Sequence, residues 1–453
     1  MTDFSGRLRR KFLHGERSRL IALSALSGVL SKSVNFALLF AVVPMTLPHL
    51  GAERFGVLMT ILGYATLFSF VDLGIGSALI RETARSNILD KPGRLADLLG
   101  SGMVLLVGLG VLFSVILLLA THLLPIDKLF LHLPAEYVPE TRSALTAFAL
   151  LFGVALPLQG LQKIYQGFQK SYLTHTASAV LSIGSLCALY LMPPESLTMP
   201  VIVAWVYGVP ALAPLAFLPK FWASRLQEYR PRWASFALNA RQLFRAGSLY
   251  LVLQLGVVLG WSIDASISSA MLGASATGML AIVQRLFQLV TVPLSLMNAP
   301  LWPAYADASA RGDSAFLAST LRRSMTYTFL LAAIVGLGLV VFREQIVDLW
   351  FGKQLMIPAA LFALAAVMAT LEATGNSFAM YLNGLHVLKQ QLIVAGSFVL
   401  ISIPMKYLLI QRYGVEGLVG STIICYVLCV VIPYATVFRR QVFPTVFKGS
   451  ING

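Results

Sequence analysis

Hydrophobic stretches of about 20 residues, each long enough to cross a bilayer as a helix, follow one another along almost the whole chain. With 57% hydrophobic and only 12% charged residues in a length of 453, the composition differs from that of soluble domains, in which about 25% of residues are charged. Inside a membrane every backbone polar group must be paired within the protein, so such stretches fold as helices. The sequence therefore predicts an all-α polytopic membrane protein.

We predict about 12 transmembrane helices, since each needs about 20 apolar residues. Most of the 34 lysine and arginine residues fall in alternate connections and near both termini. Such a bias marks the cytoplasmic side, so both termini are predicted to be cytoplasmic. The approximate helix limits are 20–47, 55–80, 96–121, 141–165, 172–192, 200–219, 246–270, 277–303, 324–342, 358–383, 391–410 and 415–438.

The chain also repeats itself. LGAERFGVL at 50–58 matches LGASATGML at 272–280, and the segments 127–130 and 166–169 match 347–350 and 383–386 in the same order. An even number of spans in each repeat gives two lobes of the same orientation, related by a pseudo-two-fold axis along the membrane normal. The predicted organisation is a basic N-terminus at 1–19, an N-lobe of six helices at 20–219, a cytoplasmic amphipathic linker at 220–245, a C-lobe of six helices at 246–438, and a cytoplasmic tail at 439–453.

Six charged side chains lie within the predicted spans, where a charge near the bilayer centre costs about 2.5 kcal/mol or more: Lys32, Asp72, Asp264, Arg285, Glu372 and Lys406. Their depths, from a rise of about 1.5 Å per residue, allow an ion pair between Lys32 and Asp72 and another between Asp264 and Arg285. Lys406 is near enough to a helix end to extend its ammonium to the interface. Two interpretations stay open: ion pairs that fix helix packing, and charges in a hydrated cavity whose contacts exchange during alternating access.

Other chemistries find no support in the sequence. HExxH, GxSxG and GxxxxGK[ST] motifs are missing, and the six histidines show no zinc-type spacing. The cysteines Cys187, Cys425 and Cys429 all lie in apolar stretches, so no disulfide framework is predicted. The net charge of +15 is explained by membrane topology, and nucleic-acid binding is not expected. We therefore expect a transporter without a metal or cofactor, and not an enzyme.

Several motifs resemble those of the polysaccharide exporters and Wzx-type flippases of the multidrug/oligosaccharidyl-lipid/polysaccharide (MOP) superfamily. They are the segments 51–56 and 70–81 in helix 2, Gln284-Arg285 with Pro293 in helix 8, the segment 302–305 after it, and 413–417 near the end. The resemblance extends over the whole chain in length, helix number and duplication. It implies a MATE-like pair of six-helix lobes in a bacterial inner membrane.

The resemblance also implies a function. The cargo would be an oligosaccharide linked to an undecaprenyl-type isoprenoid pyrophosphate, flipped across the membrane for polysaccharide or O-antigen biosynthesis. Membrane lipids would be partners, as would a polysaccharide polymerase and assembly proteins. Lys32, Arg285 and Arg81 match the cationic substrate cavity, and Asp72, Asp264 and Glu372 are candidates for coupling or ion pairing.

Two alternative functions belong to different classes. In a cation-coupled multidrug exporter of the same fold, the three intramembrane acids would bind the coupling cation. A membrane glycosyl polymerase or ligase would be an enzyme. Such enzymes have a large outer loop, whereas the connections in this sequence are short. No motif indicates the sugar, the coupling ion or the oligomeric state.

Overall fold

The computed structural model describes residues 2–89, 92–124, 130, 133–168, 170–217, 233–257, 260, 263–299, 301–351, 357–385 and 387–439. Within these ranges the chain is helical at all twelve predicted positions, and eight helices are long and apolar enough to span a membrane. Two of the eight, Leu26–Asp72 and Lys389–Ala435, have 47 residues each, and each overlaps two predicted helices. The segment 220–232 of the predicted linker and residues 440–453 of the predicted tail lie outside the described residues.

The chain divides into two compact units. The first comprises Met1–His49, Phe68–Ile126 and Pro134–Val252, and the second comprises Leu50–Leu67, Asp127–Leu133 and Leu253–Gly453. The helices are α1 (Thr2–Leu67), α2 (Ile75–Leu89), α3 (Pro92–Leu123), α4 (Val138–Gly167), α5 (Ser171–Leu191), α6 (Met199–Val203), α7 (Val209–Ala211), α8 (Trp233–Val257), α9 (Asp264–Leu272), α10 (Ala274–Asn298), α11 (Leu301–Arg311), α12 (Ser314–Val341), α13 (Arg343–Phe351), α14 (Ala359–Gly384), α15 (Leu388–Tyr426) and α16 (Ile432–Ala435).

Helix boundaries differ from the predicted ones where the backbone breaks. Predicted helix 2 ends in a short 3₁₀ turn, Phe68–Asp72, after which Leu73 and Gly74 have positive φ angles and α2 begins. Predicted helix 7 corresponds to α8 and α9, and residues 258–259 and 261–262 between them lie outside the described residues; α8 already begins at Trp233, so it continues through residue 245 without interruption. The breaks at 72–76 fall in a segment rich in glycine, whose freedom to adopt positive φ makes it the usual residue at such a point.

Many apolar side chains of the long helices are exposed. Val111, Leu112 and Leu119 of α3 and Ile334 and Leu337 of α12 are examples, although their helices are among the most hydrophobic of the chain. A soluble protein rarely exposes apolar surface of this extent. These faces are therefore the ones that contact lipid, and the protein is a multi-pass membrane protein.

Local backbone features recur at about the offset of the predicted duplication. Gly51 (φ 74°, ψ 169°) and Gly273 (φ 92°, ψ 175°), which the repeat places 222 residues apart, share a conformation that is essentially restricted to glycine. At the ends of α4 and α14, the Phe168 N–H donates to the Ile164 carbonyl and the Leu385 N–H to the Tyr381 carbonyl. A π-helical turn also recurs, at Ala204–Gly208 and at Val427–Val431.

Two equivalent helical segments of the second unit cross at small residues. A Cβ atom added to Gly56 would clash with the carbonyl of Ala274, and one added to Gly278 would lie 3.1 Å from the carbonyl oxygen of Ala52. Since 52 and 56 correspond to 274 and 278 in the repeat, the contact is reciprocal. Such reciprocity is the property of a two-fold interface, here between the segment Leu50–Leu67 and α10.

Candidate functional site: a charged cavity in the second unit

The second unit encloses a cavity of about 300 Å³. The segment Leu50–Leu67, α9, α10, α14 and α15 all contribute to its wall, which is apolar over much of its area. Its polar and charged lining side chains are Thr66, Asp264, Gln284, Arg285, Gln288, Thr291, Glu372 and Thr422. Three of the six residues predicted to form the site, Asp264, Arg285 and Glu372, are thus brought together.

The Arg285 side chain is held on α10 by a neighbour on the same helix. Its Nη1 donates to Oε1 of Gln288 at 2.9 Å, a contact that the spacing of three residues allows because such positions are adjacent on a helix surface. A guanidinium has five N–H donors, so most of the donors remain available to a ligand. The side chain is half-buried in the cavity wall, and a guanidinium can form charge-assisted, bidentate hydrogen bonds with an anionic ligand.

Asp264 forms an ion pair with Lys406, not with Arg285 as predicted. Lys406 Nζ lies 2.5 Å from Asp264 Oδ1 and also donates to the Gly260 carbonyl at 2.6 Å. The expectation that Lys406 extends to the interface is also wrong, because its side chain is 0% exposed. Helix rise indicates how deep a residue lies but not which way it faces, and α15 places Lys406 beside Gly260 and the start of α9.

Glu372 is exposed within the cavity. It lies on α14 one turn before Gly375, where a side chain would clash with the hydroxyl of Tyr426. Tyr426 is close enough to Glu372 for the carboxylate charge to act on it. Because Asp264 is paired with Lys406, Glu372 is the acidic side chain among the described lining residues that forms no ion pair.

The charged residues of the first unit have separate roles. The predicted Lys32–Asp72 pair is wrong: the Asp72 carboxylate accepts from the backbone N–H groups of Gly74 at 2.9 Å and Gly76 at 3.2 Å. It thereby caps the start of α2 after the break, as a short acidic side chain does at a helix N-terminus. Lys163 packs beside this cap. Lys32 is exposed, and Arg81 pairs with Glu82 at 3.1 Å.

The cavity lies along the contact between the two repeats. Positions on its two sides correspond at the offset of 222: Met59 with Ala281, Gly63 with Arg285, and Thr66 with Gln288. The first copy contributes a small or uncharged side chain where the second contributes the guanidinium and its amide partner. The sequence comparison missed this correspondence, although an alignment of the repeats contains it. Among the described residues no cluster of three His, Cys, Asp or Glu side chains is suited to hold a metal ion.

Known proteins share this fold. A "Putative O-antigen transporter" of Salmonella typhi is 20% identical over 416 residues, which cover 90% of this chain and 93% of the relative. An inward-facing multidrug resistance MATE family transporter of the MOP superfamily has a TM-score of 0.70 at 14% identity, covering 92% of this chain and 95% of that one. The lipid II flippase MurJ in an inward closed conformation has a TM-score of 0.65 at 14% identity, covering 92% and 87%.

These similarities confirm the all-α MATE-like fold and the family resemblance, and they favour a transporter over an enzyme. A family model described as "Polysaccharide biosynthesis protein" matches residues 22–309, which is more than half of the 453 residues. The chain therefore belongs to the polysaccharide biosynthesis protein family and has the fold of the MOP-superfamily transporters.

Proposed function

We propose that this protein flips an isoprenoid-pyrophosphate-linked oligosaccharide across a bacterial inner membrane by alternating access, for polysaccharide or O-antigen biosynthesis. The observation that carries the proposal is Arg285, a half-buried guanidinium in the cavity of the second unit. Ion pairs and bidentate hydrogen bonds from arginine suit a pyrophosphate. The family and the name of the Salmonella relative support the same cargo class.

The size of the cavity indicates which part of the cargo it receives. About 300 Å³ is the lower end of the range for small-molecule sites, so it suits a pyrophosphate headgroup and not a whole oligosaccharide. Lys32, exposed on α1, and Arg81 are further candidates for cargo contact. Glu372 is the best-placed candidate for cation coupling. Asp264 and Asp72 have structural roles instead: Asp264 pairs with Lys406, and Asp72 caps α2.

Reconstitution of the purified protein in liposomes tests the function. A fluorescent disaccharide on a short isoprenoid pyrophosphate is expected to become accessible to an added impermeant quencher faster than in protein-free liposomes. The variant Arg311→Ala, which loses an exposed pair with Asp307 and is not among the cavity lining residues, should retain the wild-type rate.

The same liposomes distinguish the second candidate function, which the MATE-like fold and the carboxylate of Glu372 favour. If the protein leaves the lipid-linked disaccharide where it was and instead moves a lipophilic cation such as ethidium along a cation gradient, it is a drug exporter. That result would exclude the flippase.

The proposed orientation, with both termini in the cytoplasm, has its own test. In a Cys187→Ser background, Glu195→Cys, between α5 and α6, should react with an impermeant maleimide added to intact spheroplasts. Arg311→Cys should react only after the membrane is permeabilised. Both native residues are exposed, so access to the reagent depends on the side of the membrane. Labelling of Arg311→Cys in intact spheroplasts would contradict the topology.

A polymerase and assembly proteins remain proposed partners.

A further inference from the structure

The first unit contains a basic cleft that is separate from the Arg285 cavity. Its volume is about 610 Å³, and its lining residues are Arg81 of α2 and Leu238, Arg241, Gln242 and Arg245 of α8. The α8 residues are spaced by three and four, so they share one face of the helix. Two arginines one turn apart, about 6 Å along the axis, thus face the same space as a third from α2.

Within the part of the chain that the structure describes, the positive charge of this cleft is not balanced by acidic side chains. Among the described residues, Glu82 is the one acidic side chain in contact with the lining residues, and its side chain is only 7% exposed. Its Oε1 accepts from Arg81 at 3.1 Å, and its Oε2 accepts from Gln242 at 3.3 Å. Arg241 and Arg245 are exposed and form no ion pair within the part of the chain that the structure describes. Two guanidinium groups are therefore left to bind an external anion.

The cleft is held in shape by contacts of α8 with the rest of the unit. Asn239 is buried and donates to Asp97 at 3.0 Å and to Ser101 at 3.0 Å. Further along α8, the backbone at Gly247 approaches that of Gly74 so closely that neither position has room for a side chain. A site whose arginines stand on an anchored helix loses less conformational entropy on binding, so the cleft is organised before a ligand arrives.

An apolar side chain at the same cleft indicates the kind of anion. Leu238 is 70% exposed and lies one turn before Arg241 on the shared face. An exposed leucine beside arginines, in a protein that lies in a bilayer, matches the boundary between acyl chains and headgroups, where apolar and basic side chains both find partners. A soluble anion would gain nothing from Leu238.

We propose that the cleft of Arg81, Arg241 and Arg245 binds the phosphate headgroup of an anionic lipid at the membrane surface. Arg241 and Arg245 supply paired N–H donors to the phosphate oxygens, while Leu238 contacts the first part of the lipid tail. The phosphate chemistry is common to phospholipids and to isoprenoid pyrophosphates. The proposal does not depend on what the Arg285 cavity binds, and it gives the cleft a role in either a flippase or a drug exporter.

Binding to the whole protein in phosphatidylcholine nanodiscs tests this inference. Calorimetry would use three probes: phosphatidylglycerol, farnesyl pyrophosphate and inorganic pyrophosphate. Wild type should bind at least one of the two lipids more tightly than inorganic pyrophosphate. The double variant Arg241→Gln/Arg245→Gln should bind that lipid more weakly, with a loss of affinity of about tenfold or more. The variant Arg311→Gln, which removes one exposed arginine elsewhere, should bind like wild type.

The preferred probe identifies the source of the headgroup. Tighter binding of phosphatidylglycerol assigns the cleft to a resident phospholipid, and tighter binding of farnesyl pyrophosphate assigns it to the cargo class. Arg241→Lys/Arg245→Lys keeps both charges but not the planar donors, so it should retain part of the affinity. Unchanged lipid affinity in a monodisperse glutamine double variant, or equal affinity for inorganic pyrophosphate, would overturn the proposal. Transport in liposomes is measured separately, so its failure leaves this test unaffected.

Discussion

Lys406→Met is expected to lower the free energy of unfolding by about 3–5 kcal/mol, because it leaves Asp264 buried without its cation. The same change removes the donor to the Gly260 carbonyl. Unfolding in mixed micelles, followed by circular dichroism, would measure the loss. Lys32→Met is the matched control, since Lys32 is exposed, and a change of at most about 0.5 kcal/mol is expected there.

A second variant separates the ion pair from the packing of these two side chains. Replacing both partners, in Asp264→Leu/Lys406→Met, removes the lone buried charge and should recover most of the lost stability, as apolar replacements of buried ion pairs generally do. Stability of Lys406→Met equal to that of wild type would show that the pair contributes nothing to the fold. Equal loss in the single and double variants would show that packing, and not charge, is what Lys406 supplies.

Arg285→Ala is expected to reduce the rate of lipid-linked oligosaccharide transport about tenfold to a hundredfold, because hydrogen bonds to charged groups contribute about 1.5–3 kcal/mol each. Arg285→Lys retains the charge but loses the planar donors, so an intermediate rate is expected. Initial rates in liposomes with matched amounts of protein provide the measurement. Gln288→Ala should have a smaller effect, since it removes only the residue that orients the guanidinium.

The control for Arg285 is Arg311→Ala, at a surface position paired with Asp307. Its rate should equal that of wild type, and both variants should be present in the membrane at normal amounts. Wild-type transport by Arg285→Ala would rule out this cavity as the headgroup site. Because Arg285 has no carboxylate partner within 4.0 Å among the described residues, its removal leaves no buried acid unpaired, and folding should be preserved.

Sequence reasoning located the helices because hydrophobicity and length determine which segments cross a membrane. It also identified Asp264, Arg285 and Glu372, since charges in apolar spans are rare enough to be conspicuous. It failed on the partners of these charges. Asp264 pairs with Lys406, and Asp72 caps α2. Helix rise gives the depth of each residue. The direction of a side chain depends also on helix breaks such as that at Leu73 and Gly74, because a break rotates every later residue about the helix axis.

The duplicated sequence was informative in a different way. Matches at 50–58 and 272–280 predicted the repeat, and Gly51 and Gly273 share one backbone conformation at that offset. The same offset relates Gly63 to Arg285, yet a comparison that searches for similar residues passes over such a pair. The basic face of α8 was missed because Arg241 and Arg245 lie in a segment that reads as a linker, and only the fold brings Arg81 to them.

The reciprocal contact at Gly56 and Gly278 has the form of an interface between two copies of one subunit. Two identical subunits would present the same side chain at both positions that line the cavity. A pair of arginines there would repel each other, and a pair of glycines would offer no cation. Joining the copies in a single chain lets the two positions differ, with Gly63 providing the space and Arg285 the charge. Covalent fusion thus allows this reciprocal contact to carry a single guanidinium, with room for an anion beside it.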